Sequence, residues 1–287
     1  MKSKTLTFAI PNFGIGGVEI NFQKLANCFI DRGYSVRILF HDEHDDGSFK
    51  SKFNTRIKLD KLSKNNFLVS FRDYIKYFNK EKPSIVIVAM YMTAIQLIIA
   101  RFFSHQKPRI IVNGSTHFSS LIKYEKNIKI SYLLKPLSKL FLAKADMLVC
   151  QSSGIEEDLR KILNVAPEKL ITIYNGVLDD NFEITGENKP SHPWLMDKSK
   201  DFSVITMVGR LDPAKSILEF IDIFFKIQER INIKMIIIGE GMLKKMIKDK
   251  INSMHLKNQI DVIPFQENFH SYIKASDALV VTSIYEG

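Results

Sequence analysis

The sequence predicts an α/β protein built from two doubly wound, Rossmann-like parallel-sheet domains. Three observations predict it. Short runs rich in Val and Ile recur along the chain, helical patterns lie between most of them, and the alternation breaks once, in a polar stretch. Runs without polar alternation belong to strands covered on both faces, the mark of a parallel sheet. At 287 residues and 45% hydrophobic content the chain can bury one large core or two moderate ones.

In the first part the predicted strands are Leu6–Ile10, Val36–Phe40, Ile85–Ala89, Ile110–Val112, Met147–Cys150 and Ile171–Ile173. Helical patterns cover Val18–Asp31, Ser120–Ala143 and Gly154–Leu163, with Pro136 expected to interrupt the second. From Asp179 to Asp201 polar residues, Gly and Pro replace the periodicity, which reads as a linker between domains 1–178 and 202–287. The second domain then offers strands at Val204–Val208, Lys234–Ile238, Ile260–Ile263 and Ala278–Thr282, with helices at Leu218–Glu229, Leu243–Ser253 and Phe269–Ala275. Leu279, Val280 and Val281 are core-type residues on the last strand.

One stretch, Ser84 to Ala100, lacks any charge and approaches the length of a membrane span. It opens on β-branched Ile85-Val-Ile-Val, passes Tyr91-Met-Thr93 and resumes as Ala94-Ile-Gln-Leu-Ile-Ile-Ala. A buried strand, a loop and a core helix account for it. The apolar run after Met1 is only strand-length, so no signal peptide is predicted. Cys28 and Cys150 stand far apart in apolar surroundings and read as buried thiols of a reducing compartment.

Charge is one-sided. Residues 1–178 hold 27 Lys and Arg against 15 Asp and Glu, whereas residues 179–287 hold 14 against 16. A basic half favours an anionic partner, and a Lys-rich composition of the whole sequence accounts for it equally. Within that half, Lys123, Lys126 and Lys129 recur every three residues among Leu121, Ile122 and Tyr132, a basic amphipathic pattern suited to a membrane surface or to solvent.

Several strand ends carry chemistry. Gly14, Gly16 and Gly17 follow the first strand and open a helix, where free N–H groups favour a phosphate; tight turns also need Gly for steric reasons. Glu19 stands where a dinucleotide fingerprint wants a third Gly, which argues against a nicotinamide enzyme. His117 follows the Ile110 strand, at the end of a parallel sheet where ligands bind. Arg210 and Lys215, five apart around a turn, can converge on one diphosphate. Gly239 and Gly241 end the next strand, and Phe265 and Gln266 the one after. No Asp-x-Asp pair is present; Asp45-Asp46 and Asp179-Asp180 read as loop charges, so no metal is predicted.

The order Val208-Gly-Arg-Leu-Asp-Pro-Ala-Lys215, then Ile238-Gly-Glu-Gly241, then Ser283-Ile-Tyr-Glu286-Gly287, resembles retaining GT-B glycosyltransferases of family 4 along nearly the whole chain. The resemblance implies two Rossmann-like domains with a site in the cleft between them. Arg210 and Lys215 would hold the donor diphosphate, Gly16 and Gly17 would face the diphosphate and acceptor, and His117 would lie near sugar and acceptor, with Asn113 as the other slot. Gly239 and Gly241 would flank the nucleotide, Phe265 and Gln266 would meet the base, and Glu286 would position the donor sugar. Ser216 stands where the family usually has Gly. The family's second Glu falls beyond Gly287, so the resemblance implies a C-terminally truncated chain with an incomplete second domain.

The function so implied is transfer of a hexose or N-acetylhexosamine from a nucleoside-diphosphate sugar to a growing, lipid-linked glycan, with retention and without metal or cofactor. The implied partners are nucleotide sugar, a glycan or polyprenyl-diphosphate-linked acceptor and an anionic membrane surface, not nucleic acid. The implied place is the cytoplasm, at the inner face of the membrane. A non-catalytic binding subunit and a sugar-nucleotide epimerase of the same fold are the alternatives.

Overall fold

The computed structural model describes residues 5–10, 12–13, 16–43, 49–63, 67–124, 136–163, 165–176, 189–196 and 199–285. The chain divides into two compact units, one ending at Val177 and the other running Leu178–Tyr285.

The first unit runs β1 (Thr5–Ala9), α1 (Gly17–Asp31), β2 (Ser35–Phe40), β3 (Lys58–Lys61), α2 (Phe67–Glu81), β4 (Ile85–Val88), α3 (Tyr91–Phe103), β5 (Arg109–Gly114), α4 (Phe118–Tyr124), β6 (Met147–Cys150), α5 (Ser153–Leu163) and β7 (Leu170–Thr172). The strands form one sheet in the order β3-β2-β1-β4-β5-β6-β7, every pairing parallel. Strand order reverses at β1, so the ends of β1 and β4 define a switch point. Alternation along β1 feeds two cores. Leu6 and Phe8 join Phe22, Ala26 and Ile38 on the α1 side, while Ala9 joins Val86, Ala94, Leu97 and Leu159 on the other. On that second side the Thr7 hydroxyl meets the Tyr77 hydroxyl at 2.8 Å, which satisfies both buried groups.

The uncharged run from Ser84 to Ala100 becomes β4 and α3, as its pattern predicts. Ala94, Ile95, Leu97 and Ile98 are fully buried. No helix among the described residues is long and apolar enough to cross a membrane.

Strand β3 and helix α2 were not predicted, nor were the short strands Asn12–Phe13 and Asp42–Glu43, which pair in parallel as a small second sheet. Strand β3 has no apolar run because an ion pair holds it: Arg37 donates to both carboxylate oxygens of Asp60 at 2.6 Å and reaches Glu81 at 3.0 Å. Helix α2 carries its signal in Phe71, Tyr74, Ile75 and Phe78, spaced i, i+3, i+4, i+7. The helix predicted over Ser120–Ala143 stops at Tyr124 among the described residues, and 136–141 are helical again from Pro136 onward.

The second unit contains α6 (Pro193–Met196), β8 (Ser203–Val208), α7 (Ile217–Gln228), β9 (Ile233–Ile238), α8 (Lys244–Ser253), β10 (Ile260–Ile263), α9 (Phe269–Ala275) and β11 (Ala278–Leu279). Its parallel sheet has the order β10-β9-β8-β11. Met235 and Ile237 pack under Ile221, Phe224 and Ile247 on one face. Val204, Ile236 and Ile238 meet Tyr272, Trp194 and Phe202 on the other.

Part of the predicted linker therefore belongs to this unit. His192 is buried, with Nε2 3.1 Å from Asp261 Oδ2. The Lys234 ammonium lies 4.0 Å from the Phe202 ring centroid and 4.8 Å from that of Trp194. Polar composition hid a strap whose few apolar residues cover one face of the sheet. The last strand also differs: only Ala278 and Leu279 pair with β8, and Leu279 and Val281 are exposed rather than core. The chain leaves the ladder because residues 282 and 284 bond instead to the turn after β8.

Candidate functional site

In the second unit strand order reverses between β8 and β11, and the carboxyl ends of these two strands form its switch point. Residues of the turn after β8 converge there. Asp212 opens a 3₁₀ turn over Pro213–Lys215, its carboxylate accepting from the Ala214 N–H at 3.1 Å. Ser216 follows at φ +50°, the left-handed geometry that favours Gly.

The turn folds Lys215 back. A Cβ built on Gly209 would lie 3.5 Å from Lys215 Cε and 3.8 Å from Cδ, so the lysine stem runs across Gly209. Arg210 is the next residue; its side chain is 73% exposed and stands 3.3 Å from Asp212. Both predicted cations thus sit at the end of one strand. A cavity of about 30 Å³ lies beside Lys215, lined by Gly209, Ile217, Thr282 and Ser283 among others.

Gly239 and Gly241 have a packing task within the unit. A Cβ on Gly239 would fall 1.9 Å from the Gly209 carbonyl oxygen, and one on Gly241 would fall 2.5 Å from the Leu211 oxygen. The turns after β8 and β9 are zipped by Gly209 N–H to Ile238 O at 3.0 Å, Leu211 N–H to Glu240 O at 2.8 Å and Leu243 N–H to Leu211 O at 2.9 Å. These glycines let two backbones touch, which fixes Arg210 in place. Phe265 and Gln266 follow β10 in an exposed turn, with Phe265 tilted against Phe269 and Gln266 donating to the Pro264 carbonyl.

In the first unit Gly16 caps α1 in extended geometry and Gly17 begins the helix. The Glu19 carboxylate lies over Gly16, where a Cβ would come within 3.3 Å of its carbon. This helix end already has its own anion, in the position the dipole favours. His117 precedes α4, and its Cε1 and Nε2 lie 3.1 and 3.2 Å from the place a Cβ on Gly154 would take. The imidazole therefore rests on the first turn of α5. Tyr91 supports the turn that carries His117, between β5 and α4: its hydroxyl donates to the Thr116 carbonyl at 2.9 Å and fills the space a side chain at Gly114 would need. Burial pushes the Tyr91 hydroxyl pKa up, so it remains a donor. Asn113, the other slot considered beside His117, is buried within β5.

Lys123 ends α4, exposed, with its ammonium 5.3 Å from the Tyr124 ring centroid. Lys126, Lys129 and Glu286 lie outside the described residues. Among the described residues no three His, Cys, Asp or Glu side chains are grouped to hold a metal. Sequence reasoning missed Tyr91, which sat in a run read only for hydrophobicity, and the fastening of Thr282 to Lys215, which pairs residues far apart in sequence.

The sequence profile of Glycosyltransferase Family 4 matches residues 15–180, and that of Glycosyl transferases group 1 matches residues 189–287. The chain belongs to glycosyltransferase family 4. Among family relatives, an N-acetylgalactosamine-N,N'-diacetylbacillosaminyl-diphospho-undecaprenol 4-alpha-N-acetylgalactosaminyltransferase of Campylobacter jejuni is 29% identical over 190 residues, 66% of this chain and 48% of that protein. A UDP-Gal:alpha-D-GlcNAc-diphosphoundecaprenol alpha-1,3-galactosyltransferase of Escherichia coli is 29% identical over 167 residues, 56% of this chain and 42% of that one. The chain spans about half the length of the curated relatives it matches.

Solved structures show the same GT-B fold at low identity. Sucrose-phosphate synthase from Thermosynechococcus elongatus superposes with a TM-score of 0.78 at 14% identity, over 99% of this chain and 76% of that one. Anabaena HepE, solved in complex with UDP-glucose, gives 0.69 at 17%, over 97% and 74%.

Proposed function

We propose that this family 4 chain acts in a glycosyltransferase that moves a hexose or N-acetylhexosamine from a nucleoside-diphosphate sugar to a growing, lipid-linked glycan, with retention at the anomeric carbon. One observation carries the reading: Lys215 folded across Gly209 beside Arg210, at the switch point of the second sheet. In the proposed reaction the bond from the anomeric carbon to the diphosphate breaks, its electron pair leaving with the diphosphate oxygen, and the acceptor oxygen bonds to that carbon and passes its proton to the departing diphosphate. Negative charge gathers on the leaving diphosphate. Two cations presented by a zipped pair of turns stabilise that charge.

Arg210 exchanges its exposed pairing with Asp212 for a diphosphate oxygen, a low-cost swap because surface ion pairs contribute little. With charge met by side chains, the proposed reaction needs no metal. Glu286 is assigned to donor-sugar hydroxyls. His117 and Gly16–Gly17 are assigned to the sugar and acceptor, a role to which Glu19 over Gly16 adds a hydroxyl acceptor rather than a diphosphate site. Exposed Phe265 is assigned to the base. The names of the Campylobacter and E. coli relatives, both acting on diphospho-undecaprenol acceptors, support the acceptor class. The basic excess of residues 1–178 supports an anionic membrane surface as partner, reached from the cytoplasm.

The test is transfer itself. UDP- and GDP-linked hexoses and N-acetylhexosamines are offered with a polyprenyl-diphosphate-linked N-acetylhexosamine in EDTA. A labelled lipid product is the expected result. Activity that vanishes in EDTA and returns with manganese, or sugar release with no lipid product, contradicts the reading.

A further inference from the structure

Five side-chain polar atoms among the described residues are buried without a hydrogen-bond partner, and Ser283 Oγ is the one whose residue lines the cavity beside Lys215. An unmet buried hydroxyl costs stability, so one at a strand end asks for an explanation. The chain around it is held on both sides. Thr282 Oγ1 donates to the Lys215 carbonyl, and the Ile284 N–H donates to the Ala214 carbonyl, each at 2.8 Å. Ser283 is therefore clamped between two anchors on the turn that presents Lys215, and its own hydroxyl is left out of both.

Gly209 brings no side chain to the cavity lining, and those of Val208, Ile217 and Val281 are apolar. The cavity beside Ser283 and Lys215 is roomy enough for a phosphoryl oxygen. A serine hydroxyl turns between staggered positions about one bond, so it can reach such a group without backbone movement.

We infer that Ser283 is a diphosphate-binding residue, whose hydroxyl donates to an anionic phosphoryl oxygen held between it and Lys215. The inference rests on the donor-site reading above and adds to it a neutral donor supplied by the segment that follows β11. The pair is complementary: the ammonium supplies charge, and the hydroxyl fixes direction, since hydrogen bonds to charged oxygens are short and directional. The stability lost to the unmet hydroxyl is recovered when ligand arrives.

The experiment measures binding of UDP, GDP and inorganic pyrophosphate to the full chain by calorimetry, together with melting temperature. Ser283→Ala is expected to weaken the tightest-binding probe about tenfold or more, with an unchanged or raised melting temperature, because an unsatisfied group is removed. Ser283→Cys, which keeps the shape but offers a weak donor, is expected to behave likewise and carries the test if the alanine variant folds poorly. A fall in melting temperature with affinity retained overturns the inference in favour of a structural serine. Affinities equal to wild type in both variants, with Lys215→Ala still weakened, overturn it and leave the donor site standing. A wild-type chain that binds none of the three probes overturns both.

Discussion

Thr282 donates its hydroxyl to the main-chain carbonyl of Lys215 at 2.8 Å, across 67 residues of sequence. That bond ties the end of the last strand to the turn after the first strand of the same sheet, and it sets where the Lys215 backbone stands. Thr282→Val keeps the shape and removes the donor. It is expected to cost about 1 kcal/mol in stability and to weaken nucleoside-diphosphate binding as the turn loosens. Denaturant unfolding and calorimetry check it; unchanged affinity would detach the strand end from the site.

Gly239 sits where the backbone of one turn meets the next. A Cβ there would fall 1.9 Å from the Gly209 carbonyl oxygen, and backbone cannot yield as a flexible side chain can. Gly239→Ala is expected to destabilise the chain by about 3 kcal/mol through forced backbone shifts. Gly17→Ala, which meets nothing within 4 Å, is expected to be close to neutral. Equal melting temperatures for the two variants would refute the close approach.

The fold was legible wherever burial is continuous. The Val- and Ile-rich runs at Ile85–Val88 and Ile233–Ile238 appear as strands in the sheets they imply. It was not legible where polar contacts replace apolar ones. Strand β3 is held by Arg37 and Asp60, and the segment around Trp194 packs with a buried His192 amid polar residues. At the candidate site, the sequence showed Arg210 and Lys215 as two cations around one turn, and the structure puts both at the end of β8. The reason for Gly239 and Gly241 was not legible, because close approach of two turns is a property of tertiary packing. The unmet hydroxyl of Ser283 has no sequence signal at all.

Asp277 joins the starts of two neighbouring strands, its carboxylate accepting from the Val204 N–H at 2.6 Å and from Lys200 at 3.2 Å. The Val204 hydrogen bond, ahead of Lys200, holds its pKa below the ordinary carboxylate value. A carboxylate depressed in the folded state stabilises above its unfolded pKa, about 4, and that contribution is lost as pH falls through the lower folded value. Asp277→Ala should therefore lose about 1 kcal/mol near pH 7, and the difference from wild type should close toward pH 2. Stability curves measured at several pH values decide it; a difference that persists in strong acid would contradict the account.

The two cysteines should react differently. Cys28, expected to be buried, is exposed on α1, whereas Cys150 is buried as expected, and burial, with Glu156 adding to it, pushes the Cys150 thiol up to about 11. Only thiolate reacts with a disulfide reagent. At pH 8 the native chain is expected to release one equivalent of chromophore quickly, from Cys28, and the second only after unfolding. Rapid release of two equivalents would show that β6 opens readily.

The account stands most directly on what Arg210 does to the rate of transfer. In single-turnover transfer from the preferred nucleoside-diphosphate sugar to a lipid-linked acceptor, Arg210→Ala is expected to lose about 2–4 kcal/mol of transition-state stabilisation. Lys215→Ala should lose a comparable amount, with melting temperatures little changed, since Arg210 is exposed and its one described ion pair is at the surface. Transfer by Arg210→Ala and Lys215→Ala at the wild-type rate would place the diphosphate elsewhere and contradict the proposed function of this site.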